Sequence, residues 1–183
     1  EKMLARLNLL AADPRTVVAV ISGLEMQVME SLFKGAGNLH LLAEHGFHHR
    51  RPQRDVSPNG SSGNVQPATK VWGQSGGNGA GSHGWYTIRL NLDNSWRSAA
   101  IAIMNTYVDR TAGSSIKEKA STIIWEYESA DPEFGAEQAN DLQANLAHTL
   151  RHFNLDILNG KGYVEIRHRG LTKGAAVQRL INE

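Results

Sequence analysis

The feature that most constrains the fold is an apolar run at residues 16–21 that ends at Ser22 and Gly23. The run is rich in β-branched residues and has no polar alternation, as expected of a strand covered on both faces in a parallel sheet. Apolar residues recur at helical spacing before it, at residues 4–11, and after it, at residues 24–33. The pattern therefore predicts helix, strand and helix in that order.

A second strand-like run at residues 39–43 continues the alternation, which indicates an α/β sheet. Residues 50–84 then change in character: they are rich in Gly, Ser, Asn and Pro and have little periodicity. We predict a poorly ordered loop insertion there, in which Trp72 is the one large apolar residue.

Beyond the loop insertion, residues 86–92 alternate between apolar and polar, which predicts a half-buried strand and a change of sheet type. A helix follows at residues 96–108, with Asn94 or Ser95 as its cap. Residues 115–127 predict one long strand.

Clear local signals mark the last third of the chain. Asp131 followed by proline is a favourable helix start, because the carboxylate accepts from free N–H groups at that end. Strands at residues 155–158 and 163–166 are joined by an Asn-Gly pair within 159–162, which is a hairpin signal. A last helix is predicted to begin near Lys173.

Composition excludes several classes of protein. The 183 residues carry a net charge of +1, so no nucleic-acid partner is expected, and the absence of cysteine excludes disulfides and thiolate metal sites. The apolar runs are too short for a membrane span, and no signal-peptide pattern is present at the start, so we expect a cytoplasmic location. Because the chain begins at Glu1 rather than at methionine, we expect a fragment.

Several short motifs occur in an order that resembles the trehalose-6-phosphate phosphatase family of the haloacid dehalogenase superfamily. They are Val-Ala-Val-Ile-Ser-Gly at 18–23, Ala-Glu-His-Gly at 43–46, Arg-Thr-Ala-Gly-Ser-Ser-Ile at 110–116, Ala-Asp-Pro-Glu-Phe-Gly at 130–135 and Gly-Leu-Thr-Lys-Gly at 170–174. Residues 130–139 most resemble the phosphatase-like domains carried behind plant-type trehalose-6-phosphate synthases.

The resemblance implies an α/β fold, a partial haloacid-dehalogenase-like Rossmannoid core with an inserted α/β cap. It implies that residues 1–49 form part of the core and that 50–84 are the loop insertion. It further implies that 85–167 form the cap with a connecting strand, and that 168–183 return to the core.

The resemblance also implies Mg²⁺-dependent hydrolysis of trehalose 6-phosphate through an aspartyl-phosphate. The family's Asp-x-Asp-Gly-Thr strand is expected upstream of Glu1 and its Gly-Asp-Asp loop beyond Glu183. The segment alone is therefore predicted to be inactive, with the Mg²⁺ ligands outside it. A fused trehalose-6-phosphate synthase domain is the implied partner.

Two catalytic positions are implied within the chain. Ser22, at the end of a buried strand, stands where a hydroxyl and backbone amides bind phosphate oxygens. Lys173, at the start of the last helix, supplies an ammonium that neutralises phosphate charge. Their structural alternatives are a turn or cap serine and a solvated lysine.

Five further residues match substrate-binding positions of the family: Gly23, Glu44, His45, Lys119 and Glu165. Lys119 and Glu165 are expected to bind sugar hydroxyls from the cap, and their alternative is that of ordinary exposed strand residues. The histidines at positions 45, 48 and 49 lack the carboxylate spacing of a zinc site, so we predict that they are solvated.

Departures from the family pattern support a second hypothesis. Leu24 stands where the family has Arg, Lys117 where it has Glu, and Glu126-Tyr127-Glu128 where it has His-Tyr-Arg. The alternative function is a catalytically silent domain that regulates or scaffolds a fused synthase. A third interpretation, an unrelated carbohydrate-binding α/β domain, requires the motif order to be coincidental.

Overall fold

The computed structural model describes residues 2–52, 72–74, 84–88 and 93–182. The chain forms two compact units. The first unit is Glu1–Leu90 with Leu171–Glu183, and the second is Asn91–Gly170. The strand at 85–88 pairs within the sheet of the first unit. The division into core, loop insertion, cap and return to the core stays a prediction.

The helices and strands alternate along the chain as follows: α1 Lys2–Ala12, β1 Ala19–Ile21, α2 Met26–Leu32, β2 His40–Ala43, a 3₁₀ turn at Glu44–Gly46, β3 His48–Arg50, β4 Trp72–Gln74, β5 Trp85–Ile88, α3 Trp96–Arg110, β6 Ser115–Glu118, β7 Thr122–Glu126, α4 Pro132–Thr149, β8 Leu155–Gly160, β9 Tyr163–His168 and α5 Lys173–Ile181. The alternation confirms the predicted α/β class.

The first unit contains a mixed sheet in the order β1-β2-β3-β5-β4. β1 and β2 are parallel, with Val20 opposite Leu41, and the other pairs are antiparallel. The predicted strand at residues 16–21 is confirmed for its last three residues. These are only half-buried, contrary to the prediction, and β1 stands at the edge of the described sheet.

The core of the first unit lies between the sheet and the first two helices, where Ala11 and Met29 are fully buried against Leu41 and Trp85. The predicted apolar stripes are wrong at their outer positions. The residues left exposed are Leu10, Leu24, Val28 and Leu32. Each helix touches the core along a narrower strip than its apolar spacing indicates.

The segment at residues 50–84 is not wholly a loop, because β4 pairs with β5 through Trp72 opposite Ile88. A strand of only three residues is too short to show an alternation of apolar and polar residues in the sequence. The predictions for the order of the rest of this segment, and for the end of the strand at 89–92, lie outside the described residues.

The prediction that the histidines are solvated is wrong for β3, which lies between β2 and β5. His49 is fully buried, and its Nε2 lies 3.0 Å from His40 Nδ1. His48 Nδ1 lies 3.0 Å from Thr87 Oγ1. Burial lowers the pKa of His49 to about 3, with positive charge on the neighbouring His40 and two arginines acting in the same direction.

Because the imidazole of His49 is buried, we expect the folded chain to lose stability in mild acid. Its folded pKa of about 3 lies below the ordinary 6.5, so between these values the unfolded chain binds a proton that the folded chain does not. Stability is complete above pH 6.5 and falls as the pH decreases toward 3, by up to about 1.4 kcal/mol per pH unit. Urea unfolding at pH 7.5, 6.0 and 5.0 measures this slope.

The matched variants are His49→Gln and His152→Gln, since His152 is exposed in the second unit. The dependence of the unfolding free energy on pH should become weaker in His49→Gln and stay unchanged in His152→Gln. An unchanged slope in His49→Gln would contradict the assignment.

The second unit is a four-stranded antiparallel sheet in the order β6-β7-β9-β8, with α3 and α4 packed on one face. The large buried side chains there are Trp96, Met104, Ile123, Trp125, Leu142, Leu146 and Ile166. The predicted long strand at 115–127 is instead a hairpin of β6 and β7, closed by a hydrogen bond from Lys119 N–H to Thr122 O of 2.9 Å. The apolar spacing continues across this short turn and so conceals it.

Local signals in the second unit are mostly confirmed. The Asp131 carboxylate accepts from Phe134 N–H at 2.9 Å and caps α4 as predicted. The hairpin of β8 and β9 is present, but its turn is at Lys161 and Gly162, two residues later than the Asn-Gly pair. Gly162 takes the left-handed φ of +83° that the turn needs. Ser95 precedes α3 without capping it through its side chain.

Candidate functional site

Ser22 lies directly after β1, at the carboxyl end of the parallel pair. Its backbone N–H donates to Leu42 O at 2.9 Å, which fixes the turn to the neighbouring strand. Its hydroxyl oxygen accepts from Leu24 N–H at 3.2 Å. Ser22 therefore takes part in the turn, and this bond does not use its O–H hydrogen.

The Glu44–Gly46 turn follows β2 and is joined to the Ser22 turn by two backbone hydrogen bonds. His45 N–H donates to Ser22 O at 2.8 Å, and Glu44 N–H donates to Leu24 O at 3.0 Å. The fold thus brings together two loops that the motifs placed about twenty residues apart. Carboxyl ends of neighbouring parallel strands form binding crevices in α/β sheets.

The Glu44–Gly46 turn has an uncommon backbone: Glu44, His45 and Gly46 take φ values of 46°, 59° and 92°. Left-handed conformations at non-glycine residues cost free energy and concentrate at functional sites. The His45 imidazole lies against the backbone of Gly23, where an added Cβ would be 2.8 Å from its Nε2. Gly23 is therefore required by the close approach of this ring.

The Glu44 carboxylate is buried, 3.8 Å from His48 Nε2. The other nitrogen of His48 bonds Thr87 on β5, so the turn is attached to the sheet through this imidazole. Burial lowers the pKa of His48, and the negative charge of Glu44 opposes that shift. Glu44 points into the unit, which suits a positioning role better than direct contact with a ligand.

Lys173 is the first residue of α5, whose start is capped by the Thr172 hydroxyl accepting from Ala175 N–H at 3.1 Å. The lysine is exposed and forms no ion pair within the described ranges. α5 packs on the Glu44–Gly46 turn, where an added Cβ on Gly46 would overlap Ala176 Cβ. Since residues three apart share a helix face, Lys173 is directed to the side of α5 that carries this contact.

Lys119 and Glu165 lie in the second unit, and the fold brings them close enough to interact. Burial raises the pKa of the Glu165 carboxyl, against the opposing positive charges of Arg167 and Lys119. Glu165 is only 6% exposed, so it is not an ordinary surface residue. Sequence reasoning missed Arg167, although its position two residues after Glu165 on one strand already placed it on the same face.

Two of the departures from the family pattern contact each other. Lys117 Nζ lies 2.6 Å from Glu126 Oε2, across the β6–β7 hairpin. The lysine therefore balances the charge of one of the two carboxylates in the Glu126-Tyr127-Glu128 segment. Leu24 has no such compensation and remains 41% exposed.

Within the described ranges, no group of three or more His, Cys, Asp or Glu side chains could hold a metal ion. The described residues therefore do not by themselves fit an Mg²⁺ site. Within the same ranges, none of the helices combines the length and the apolar character of a membrane span.

Comparison with known proteins decides the family. The family model described as Trehalose-phosphatase matches residues 1–183. The chain belongs to the trehalose-phosphatase family. A trehalose-phosphatase of Schizosaccharomyces pombe is 32% identical over 183 residues, which is all of this chain and 19% of that protein. An alpha,alpha-trehalose-phosphate synthase (UDP-forming 5) of Arabidopsis thaliana is 29% identical over 96% of this chain and 17% of its own length.

Solved structures agree with the family and with the haloacid-dehalogenase-like fold. The C-terminal domain of Candida albicans trehalose-6-phosphate phosphatase is 26% identical, with a TM-score of 0.75, over all of this chain and 54% of that one. The C-terminal domain of the Candida albicans trehalose synthase regulatory protein has a TM-score of 0.69 at 16% identity, a likeness of fold alone. This trehalose-phosphatase family member thus spans less than a fifth of the two curated relatives and about half of the first solved domain.

Proposed function

We propose that this chain is part of a phosphatase domain that hydrolyses trehalose 6-phosphate to trehalose and phosphate, a step of trehalose biosynthesis. The observation that carries the proposal is the pair of hydrogen bonds joining the Ser22 turn to the Glu44–Gly46 turn. Motif residues that are distant in sequence thereby form one edge of the sheet, where ligands bind in folds of this type.

The proposed roles follow from the side chains. The Ser22 hydroxyl donates to a phosphate oxygen, and the Lys173 ammonium offsets phosphate charge. Gly23 lets His45 approach the turn, and Glu44 holds that turn in its strained conformation. In the second unit, Lys119 and Glu165 bind sugar hydroxyls as donor and acceptor.

Mg²⁺ and an aspartate nucleophile, which the family resemblance implies, are proposed to come from residues other than those described. We propose a fused trehalose-6-phosphate synthase domain as partner, since an Arabidopsis synthase aligns over nearly the whole chain. That the protein has no nucleic-acid partner stays a prediction. Its cytoplasmic location is likewise a prediction.

One observation favours the alternative of a silent regulatory domain. Leu24 exposes apolar carbon beside the Ser22 hydroxyl, where the family pattern has a guanidinium that could clamp an oxyanion. The ion pair of Lys117 with Glu126 weakens a second argument for that alternative, because it balances one carboxylate.

The test uses the purified protein at its natural length with Mg²⁺. Phosphate release is measured from trehalose 6-phosphate and, as a control, from glucose 6-phosphate. The proposal expects preferential release from the disaccharide phosphate. Binding of trehalose 6-phosphate without release would support the silent domain instead.

A further inference from the structure

One row of polar side chains crosses the second unit on the sheet face opposite its helices. Thr122 on β7 is directly opposite Arg167 on β9, and Arg167 is opposite Asp156 on β8. Lys119 adjoins the same row through its hydrogen bond to Thr122 O. The alternate residues of these strands, such as Ile123 and Ile166, point into the core instead.

Two buried groups in this row lack partners within the described ranges. The Thr122 side-chain oxygen has no hydrogen bond, although Thr122 is only 2% exposed. Arg167 Nε also has none, and its side chain is 14% exposed. Buried donors and acceptors are normally satisfied, so two unsatisfied groups side by side point to an absent ligand.

Neighbouring carboxylates do not satisfy the guanidinium of Arg167. Nη1 of Arg167 lies 3.9 Å from Oε1 of Glu165, which is beyond hydrogen-bond distance. Asp156 lies across the sheet, but its Oδ1 accepts from Arg169 Nε at 3.1 Å. The Nε donor of Arg167 therefore remains available to an oxygen atom of a bound molecule.

We propose that Arg167 and Thr122 are further substrate-binding residues that hold vicinal hydroxyl groups of the sugar. This inference rests on the proposed function and extends it to residues that no motif indicated. Arg167 can donate hydrogen bonds, and the Thr122 hydroxyl can both donate and accept them. The Glu165 carboxylate, on the same face of the sheet, can accept them. Sugar hydroxyls donate and accept in the same way, whereas a phosphate dianion would be repelled by the Glu165 carboxylate.

The test compares Arg167→Met with Arg151→Met, because Arg151 is an exposed arginine of the same unit. Binding of trehalose and of inorganic phosphate to the purified protein at its natural length is measured separately by calorimetry. Arg167→Met should weaken trehalose binding about tenfold or more and leave phosphate binding within about twofold. Arg151→Met should change neither.

Two variants of Thr122 allow the inference to be tested even if Arg167→Met does not fold. Thr122→Val should weaken trehalose binding, and Thr122→Ser, which keeps the hydroxyl, should retain it. Unchanged trehalose affinity in both Arg167→Met and Thr122→Val would overturn the inference, as would a selective loss of phosphate binding. A wild-type protein that binds no trehalose would contradict the proposed function itself and the inference with it.

Discussion

Gly46→Ala is expected to destabilise the first unit by about 2–5 kcal/mol. Gly46 has a φ of +92°, and the left-handed conformation costs an L-residue about 1–2 kcal/mol. The added Cβ would also overlap Ala176 Cβ, and overpacking of this kind costs about 1–3 kcal/mol more. Urea unfolding of the purified variant measures the loss.

Gly35→Ala is the matched control. Gly35 has a similar φ of +86°, but an added Cβ would meet nothing within 4 Å. It should therefore lose only the backbone contribution, about 1–2 kcal/mol. Combining Gly46→Ala with Ala176→Gly should restore part of the difference. Equal losses at Gly46 and Gly35 would show that α5 does not pack on the turn as described.

Lys173→Met is expected to lower the rate of phosphate release from trehalose 6-phosphate about 100-fold or more. Removal of one preorganised donor to developing charge costs about that much in enzymes of known mechanism. Because Lys173 is exposed at the start of α5, its removal should leave the melting temperature unchanged within about 1–2 °C. Steady-state phosphate release with Mg²⁺ gives the rate.

Lys34→Met controls for the loss of a surface lysine, since Lys34 is exposed in the same unit. It should leave the rate unchanged, and Lys173→Arg should recover part of it by retaining the charge. Full activity in Lys173→Met would show instead that Lys173 is a solvated surface lysine without a catalytic role.

The sequence predicted the loops of the first unit well because their signals are local. The apolar run before Ser22 and the apolar run before Glu44 each define a strand end, and the parallel pairing of β1 and β2 brings the ends together. What could not be predicted was the hydrogen bonding of His45 to Ser22. That contact depends on a left-handed backbone at two non-glycine residues, which carries no signal in residue type.

Elements that depend on pairing between distant segments were harder to predict. β3 is rich in histidine, and nothing in its composition shows that strands on both sides bury it. The hairpin turn after β6 was missed because apolar spacing continued through it. Arg167 was missed because only the pairing of β7 with β9 places it beside Thr122, whose side-chain oxygen has no hydrogen bond within the described ranges.

The central claim is that the chain belongs to a working phosphatase domain rather than to a silent one. The most direct measurement is the stoichiometry of trehalose and phosphate released from trehalose 6-phosphate by the purified protein at its natural length, with Mg²⁺. We expect equal amounts of the two products and a rate that falls about 100-fold in Ser22→Ala. No release above the buffer control, or release that is unaffected in Ser22→Ala, would contradict the account.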